Sequence, residues 1–128
     1  MYGNNAYNVY KNNSVNFASK EQLLLMLLDG SVKFAKIARQ AIVDKDIKRA
    51  HENLVKTQNI YYELMISLEV TKGGDWAQNL MAIYSFIVDK LVEANIKKNV
   101  EIIDEVMPLI EEVRETWNEA YKLSKGSK

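Results

Sequence analysis

Six consecutive apolar residues, Leu23-Leu24-Leu25-Met26-Leu27-Leu28, open a helical pattern that runs to about Val43. A surface helix needs an apolar stripe on one side only, so a helix that is apolar all round requires cover on every side. Three sister helices cover part of that circumference. The remainder calls for something else, and it is the first pointer to function.

The start of this helix is well marked. Ser19 as N-cap and Gln22 at N3 form a capping box, and Glu21 suits the dipole. Leu23, Leu27, Gly30, Phe34, Ile37 and Ala41 then follow in steps of four and three, predicting the packed seam. Leu25, Leu28 and Val32 fall off that seam. Gly30 lets a neighbour approach closely at a cost of ~1 kcal/mol of helix propensity.

Asp44 or Asp46 caps a second helix with the seam Ile47, Ala50, Leu54, Thr57, Tyr61, Leu64 and Leu68. Val55, Gln58, Tyr62 and Met65 point away from it. Lys72-Gly73-Gly74 stops this helix, and a third opens on a capping box of Asp75 and Gln78. Its seam is Ala77, Leu80, Tyr84, Ile87, Leu91 and Ala94, with Met81, Phe86 and Val88 outside. Asn99 caps a fourth, whose seam is Ile103, Val106, Ile110, Val113, Trp117 and Ala120 and which ends near Leu123. Pro108 inside it predicts a kink or a one-turn break.

Four helices of roughly 22–25 residues joined by loops of about four to six imply antiparallel neighbours. The expected fold is all-α, an up-down-up-down four-helix bundle over residues 19–123. An irregular N-terminal segment, 1–18, precedes it and a loose tail, 124–128, follows. The 128 residues suffice for one domain with a substantial core.

Composition narrows the function. The formal charge is zero, which gives no support to a nucleic-acid partner or an anionic membrane. No apolar run approaches the ~18 residues of a membrane span, and MYGNNAYNVYKNN has no signal-peptide pattern, so a cytoplasmic location is expected. Without cysteine there is no disulfide or thiolate chemistry. One histidine, His51, supports neither a hydrolase triad nor a zinc site, and the Glu-x-x-His pairs of di-iron bundles are absent. The chain reads as no enzyme, with no cofactor and no metal.

The alternative is a phosphotransfer bundle using His51. Such domains usually set the histidine in H-x-x-K-G, whereas here Glu52 adjoins it and Leu54 takes the lysine position. A carboxylate beside a site that must take a dianion has the wrong sign.

Binding is the better use of what is present. Met26, Met65, Met81, Tyr62, Phe86 and Val88 exceed what four narrow seams require, and methionine adapts to partners of varied shape. A generous core is one reading; grooves that accept an amphipathic helix or extended peptide are the other. The fourth helix carries seven Asp or Glu against Arg114 and Lys122. That is either a solvated face or an acidic edge that orients a basic segment. Residues 1–18 are Asn-rich yet hold Tyr7, Tyr10, Val15 and Phe17, which suits either a frayed end with anchors or a detachable cover.

The run Ser19-Lys20-Glu21-Gln22-Leu23-Leu24-Leu25-Met26-Leu27-Leu28-Asp29-Gly30 closely resembles the signature of the FliS family of flagellar export chaperones. So do Tyr7, Tyr10 and Val15, Ile60 to Leu68, Gly73-Gly74 before Asn79-Leu80 and Tyr84, Ala94-Asn95, Glu105-Val106, and Arg114-Glu115-Thr116-Trp117. The likeness spans nearly the whole chain in order. Lys20 stands where the family commonly has Pro, and Leu28 where it commonly has Tyr. The resemblance implies a monomer or weak homodimer that binds the C-terminal segment of flagellin, prevents premature polymerisation and delivers the subunit to export gate components. It places the displaceable cover at Tyr7, Tyr10 and Val15. The groove would be Leu25, Leu28, Tyr62, Met65, Met81 and Val88, chosen by helical phase. A purely structural homodimer is the remaining alternative.

Overall fold

The computed structural model describes residues 19–69 and 74–126. These form four helices: α1 (Lys20–Val43), α2 (Ile47–Glu69), α3 (Asp75–Lys97) and α4 (Val100–Gly126). Each packs on its neighbours in sequence, and α1 also packs on α4, so the four close into a square. The fold is the all-α four-helix bundle that the heptads predict. Tyr7, Tyr10 and Val15 lie outside the described residues.

The helix ends follow side-chain chemistry. Ser19 Oγ accepts from the Gln22 N–H at 3.2 Å while Gln22 Oε1 accepts from the Ser19 N–H at 2.9 Å, the full capping box. The Asp46 carboxylate accepts from the Arg49 N–H at 3.2 Å, and Asn99 Oδ1 from the Glu101 N–H at 2.8 Å. Asp75 departs from expectation. It is the first helical residue, and Gly74 at φ 70° is the cap, with no side-chain bond. The turns at 44–46 and 98–99 are shorter than predicted because Lys45 and Lys98 enter the left-handed region, φ 61° and 50°. α4 runs unbroken through Pro108 and past Leu123 to Gly126, so the predicted one-turn break is absent.

The core follows the predicted seams of α2, α3 and α4 except at one end of α3 and α4, where Ala77, Leu80 and Trp117 are half-buried and Ala120 is exposed. Ala50, Leu54, Thr57, Tyr61, Leu64 and Leu68 are buried, as are Tyr84, Ile87, Leu91 and Ala94, and Ile103, Val106, Ile110 and Val113. Ile47, on the first turn of α2, is exposed. Helix α1 is rotated from expectation by about one residue, roughly 100°. Its buried line is Leu28, Ser31, Val32, Ala35, Ala38 and Ala41, while Leu23, Leu27, Phe34 and Ile37 are only half-buried. The cause is size. The small side chains Ser31, Ala35 and Ala38 let α1 lie close to its neighbours, and the larger residues sit at the edges of the contact.

Candidate functional site

Two features stand out below the sealed core. The first is a line of polar and aromatic contacts that crosses all four helices. Ser31 Oγ donates to the Leu28 carbonyl at 2.7 Å, and its hydroxyl lies 3.5 Å from the Tyr61 hydroxyl. The Tyr61 ring meets Tyr84 edge-on, with centroids 5.8 Å apart and planes at 61°. Trp117 Nε1–H then donates to the Tyr84 hydroxyl at 3.0 Å. Burial disfavours both phenolates. The Tyr84 pKa is pushed up to about 12 and that of Tyr61 higher still. Trp117 thus turns its one donor inward and shows carbon to the outside.

The second feature is a groove between α3 and α4 of about 360 Å³. Helix α3 supplies Trp76, Leu80 and Ile83, spaced four and three so that they share one face. Helix α4 supplies Leu109, Val113, Thr116 and Ala120 at the same spacing, with Trp117 as floor. Glu112 is the one charged residue in the lining. Such a surface binds by burying carbon.

The residues predicted for the groove divide. Tyr62 and Met65 share a line of α2 with His51, and His51 reaches Asn95 of α3, so that line faces α3. Met81 and Val88 share the line of α3 that ends at Asn95. These four therefore border one helix pair. Leu25 lies instead on the α1 line of Asp29 and Arg39, which reach Arg114 and Asp104 of α4. Tyr62 is exposed, whereas Leu25, Met65 and Met81 are half-buried against the core. Leu28 and Val88 need correction: at 0% and 7% exposure they are core residues and line no open surface. Leu28 is inside because α1 is rotated, and Val88 because the α2–α3 contact is wide enough to cover a second line. Trp76, Ile83 and Leu109 were missed as surface residues. Their four–three spacing with Leu80 and Val113 was the available signal.

His51 carries no support for phosphotransfer. Lys98 Nζ donates to Asn95 Oδ1 at 2.7 Å, so Asn95 Nδ2 is the atom that donates to His51 Nδ1, at 3.0 Å. The imidazole serves as an acceptor in an exposed turn-bracing contact.

The FliS model, a flagellar protein family, matches residues 3–124. The flagellar secretion chaperone FliS of Bacillus subtilis (strain 168) is 38% identical over 116 residues, 91% of this chain and 86% of that protein. The protein of the same name from Campylobacter jejuni is 32% identical over 121 residues, 94% of both chains. That of Escherichia coli (strain K12) is 32% identical over 104 residues, 80% of this chain and 76% of its own length. A match this long, on a bundle whose capping box and seams follow the signature residues, makes the chain a member of the FliS family of flagellar proteins.

Proposed function

We propose that the protein is a cytoplasmic export chaperone. It binds the disordered C-terminal segment of flagellin in apolar grooves, keeps it from polymerising early and aids delivery to components of the flagellar export gate. The observation that carries this reading is the uncovered carbon of the bundle. Of Leu23 to Leu28 only Leu28 is fully buried, and Met26, Tyr62, Ile66, Trp76 and Phe86 are each at least 40% exposed. These large apolar side chains, left open on three helices, are what a partner's carbon would cover. A segment that orders on binding loses entropy, so it needs long apolar contacts of this kind.

On this reading Leu25, Tyr62, Met65 and Met81 contact the segment, and Tyr7, Tyr10 and Val15 cover part of the same surface in the free protein. The chaperone acts by binding alone, as a monomer or weak homodimer. Titration calorimetry with a flagellin C-terminal peptide should show binding at micromolar concentration or tighter, with a negative heat-capacity change. Tyr62→Asp, at a side chain 44% exposed, should weaken it while leaving the thermal transition in place. No binding at micromolar peptide would overturn the proposal.

A further inference from the structure

The chain turns twice at one end of the bundle, at 44–46 and at 98–99, and neither turn contains Gly or Pro. The turn that opens α3 puts Gly74 at φ 70°, where glycine meets no steric resistance. The turn into α4 puts Lys98 in the left-handed region instead, at φ 50° and ψ 43°. A residue with a Cβ is strained there. Lys98 is held by its own side chain, whose Nζ donates to the Asn95 carbonyl and, at 2.7 Å, to Asn95 Oδ1. If 98–99 were helical, the last carbonyls of α3 would accept from the first N–H groups of α4 and the strain would vanish. No helix breaker stands in Asn95-Ile96-Lys97-Lys98-Asn99-Val100 to prevent it.

Helix α4 is also the one most easily lifted. Among the described residues all three ion pairs between helices end on it: Arg39 with Asp104, Asp29 with Arg114 at 3.5 Å, and Lys90 with Glu105 at 3.2 Å. These pairs lie at exposed edges and hold weakly. Against α3 a groove of about 360 Å³ is left open. Helix α1, beyond the other strained turn at Lys45, instead brings Ser31, Ala35 and Ala38 into the core. A lifted α4 bares Ile103, Val106, Ile110 and Val113, and the one surface shaped to cover them is the place α4 leaves in another copy.

We infer that two copies of the chain exchange α4. Lys98 and Asn99 become helical, and α3 and α4 run on as one rod of about 78 Å at 1.5 Å per residue. Each α4 then completes the bundle of the other copy. The contacts of the bundle are kept, now between chains, and two strained turns are released. Beside the new junction stands Ile96, 79% exposed in the single chain, with carbon for the two rods to share. Joining two chains loses translational freedom, so the exchanged form grows with concentration. Exchange goes beyond the chaperone reading and is independent of what the grooves hold.

The test uses the full chain. Size-exclusion chromatography with light scattering should find a dimer whose share grows with concentration and with slow refolding from urea. Lys98→Ala favours helix over the left-handed turn and should tighten dimerisation about ten-fold or more. Lys98→Gly, at ease in the turn, should loosen it by as much. A charge-exchanged pair then shows which helix crosses over. One variant carries Asp29→Arg with Arg39→Asp on α1, and the other carries Asp104→Arg with Arg114→Asp on α4. Within either chain both α1–α4 positions set like charges together, and only an exchanged heterodimer restores every pair. Native mass spectrometry of the equimolar mixture should find heterodimer well above the roughly one half that unbiased pairing gives. If a variant does not fold alone, helicity recovered on mixing is the same readout. A chain that stays monomeric even with Lys98→Ala, a dimer indifferent to residue 98, or heterodimer at the unbiased level would overturn the inference.

Discussion

The α1–α2 contact and the α3–α4 contact are made by helices of similar length and the same heptad logic, yet α1 brings small side chains to the first while bulky ones line a groove at the second. Along α1–α2, small residues of α1 meet α2: a Cβ at Gly30 would lie 3.3 Å from Ile60 Cδ1, and the Ser31 hydroxyl is 3.5 Å from that of Tyr61. Even the outer edge is covered, since the Lys56 ammonium of α2 sits 5.2 Å from the Phe34 ring centroid of α1. Along α3–α4 the facing residues are Trp76, Leu80 and Ile83 against Leu109, Val113 and Trp117, and a cavity of about 360 Å³ remains between them. Side-chain volume decides the outcome. Small residues let two helices approach closely, while bulky ones near a helix end hold them apart and leave carbon facing water.

The same truncation at each place should separate the two most sharply. Leu54 is fully buried, so Leu54→Ala should cost about 2–5 kcal/mol in urea unfolding. Leu80, half-buried on the groove, should cost less than half as much, because water already reaches the space its side chain would vacate. Equal losses would mean that the groove is closed in solution. Overfilling should show the reverse contrast. Ala38→Leu on the closed contact has no room and should destabilise by about 1–3 kcal/mol. Ala120→Leu on the groove should change the midpoint little and fill part of the gap.

The line from Trp117 to Ser31 belongs to both regions, and it gives a smaller effect. Tyr84→Phe removes the acceptor of the Trp117 N–H, which should cost about 1–2 kcal/mol for a donor left unpaired in a half-buried place. It should also change the alkaline limb of stability. Tyr84 has a folded pKa of about 12, above the ordinary value of 10, so the folded state holds its proton more tightly. That contribution is complete below pH 10 and is lost as the pH rises toward 12, a window in which the unfolded tyrosine ionises first. Chemical-denaturation midpoints should therefore fall across pH 10–12 in the parent and fall less steeply in Tyr84→Phe. Tyr61, raised further, keeps part of the slope in the variant.

How far these regions were legible follows from the same volumes. Leu54, Tyr61, Ile87, Leu91, Val106 and Ile110 stand at clean four–three spacings between polar residues, so their burial could be read directly. Helix α1 could not be phased in this way. Six apolar residues in succession mark no face, and the residues that do mark it, Ser31, Ala35 and Ala38, weigh little on any scale of hydrophobicity. The groove was partly visible, since Trp76 and Ile83 stand four and three residues from Leu80 of the α3 seam and widen it into a second line. A second line shows only that carbon is in excess. Whether it is covered, as Val88 is, or left open, as Trp76 is, depends on the distance to the next helix, which no single helix encodes.

Gly30 gives the smallest and most delicate test of the closed contact. A Cβ built there would meet Ile60 Cδ1 at 3.3 Å and the Phe34 ring at 3.7 Å. The nearer atom is the tip of a flexible side chain, which gives way by a few tenths of an ångström at little cost. Against this, replacing glycine by alanine inside a helix recovers about 1 kcal/mol of propensity. Gly30→Ala should therefore be neutral to stabilising by a few tenths of a kcal/mol, read as a small upward shift in the urea midpoint. Gly30→Leu carries its extra carbons into the space of Ile60 and Phe34, and should destabilise by about 1–3 kcal/mol. If alanine already lowers the midpoint, Ile60 is pinned and the α1–α2 contact is tighter than its half-buried edge suggests.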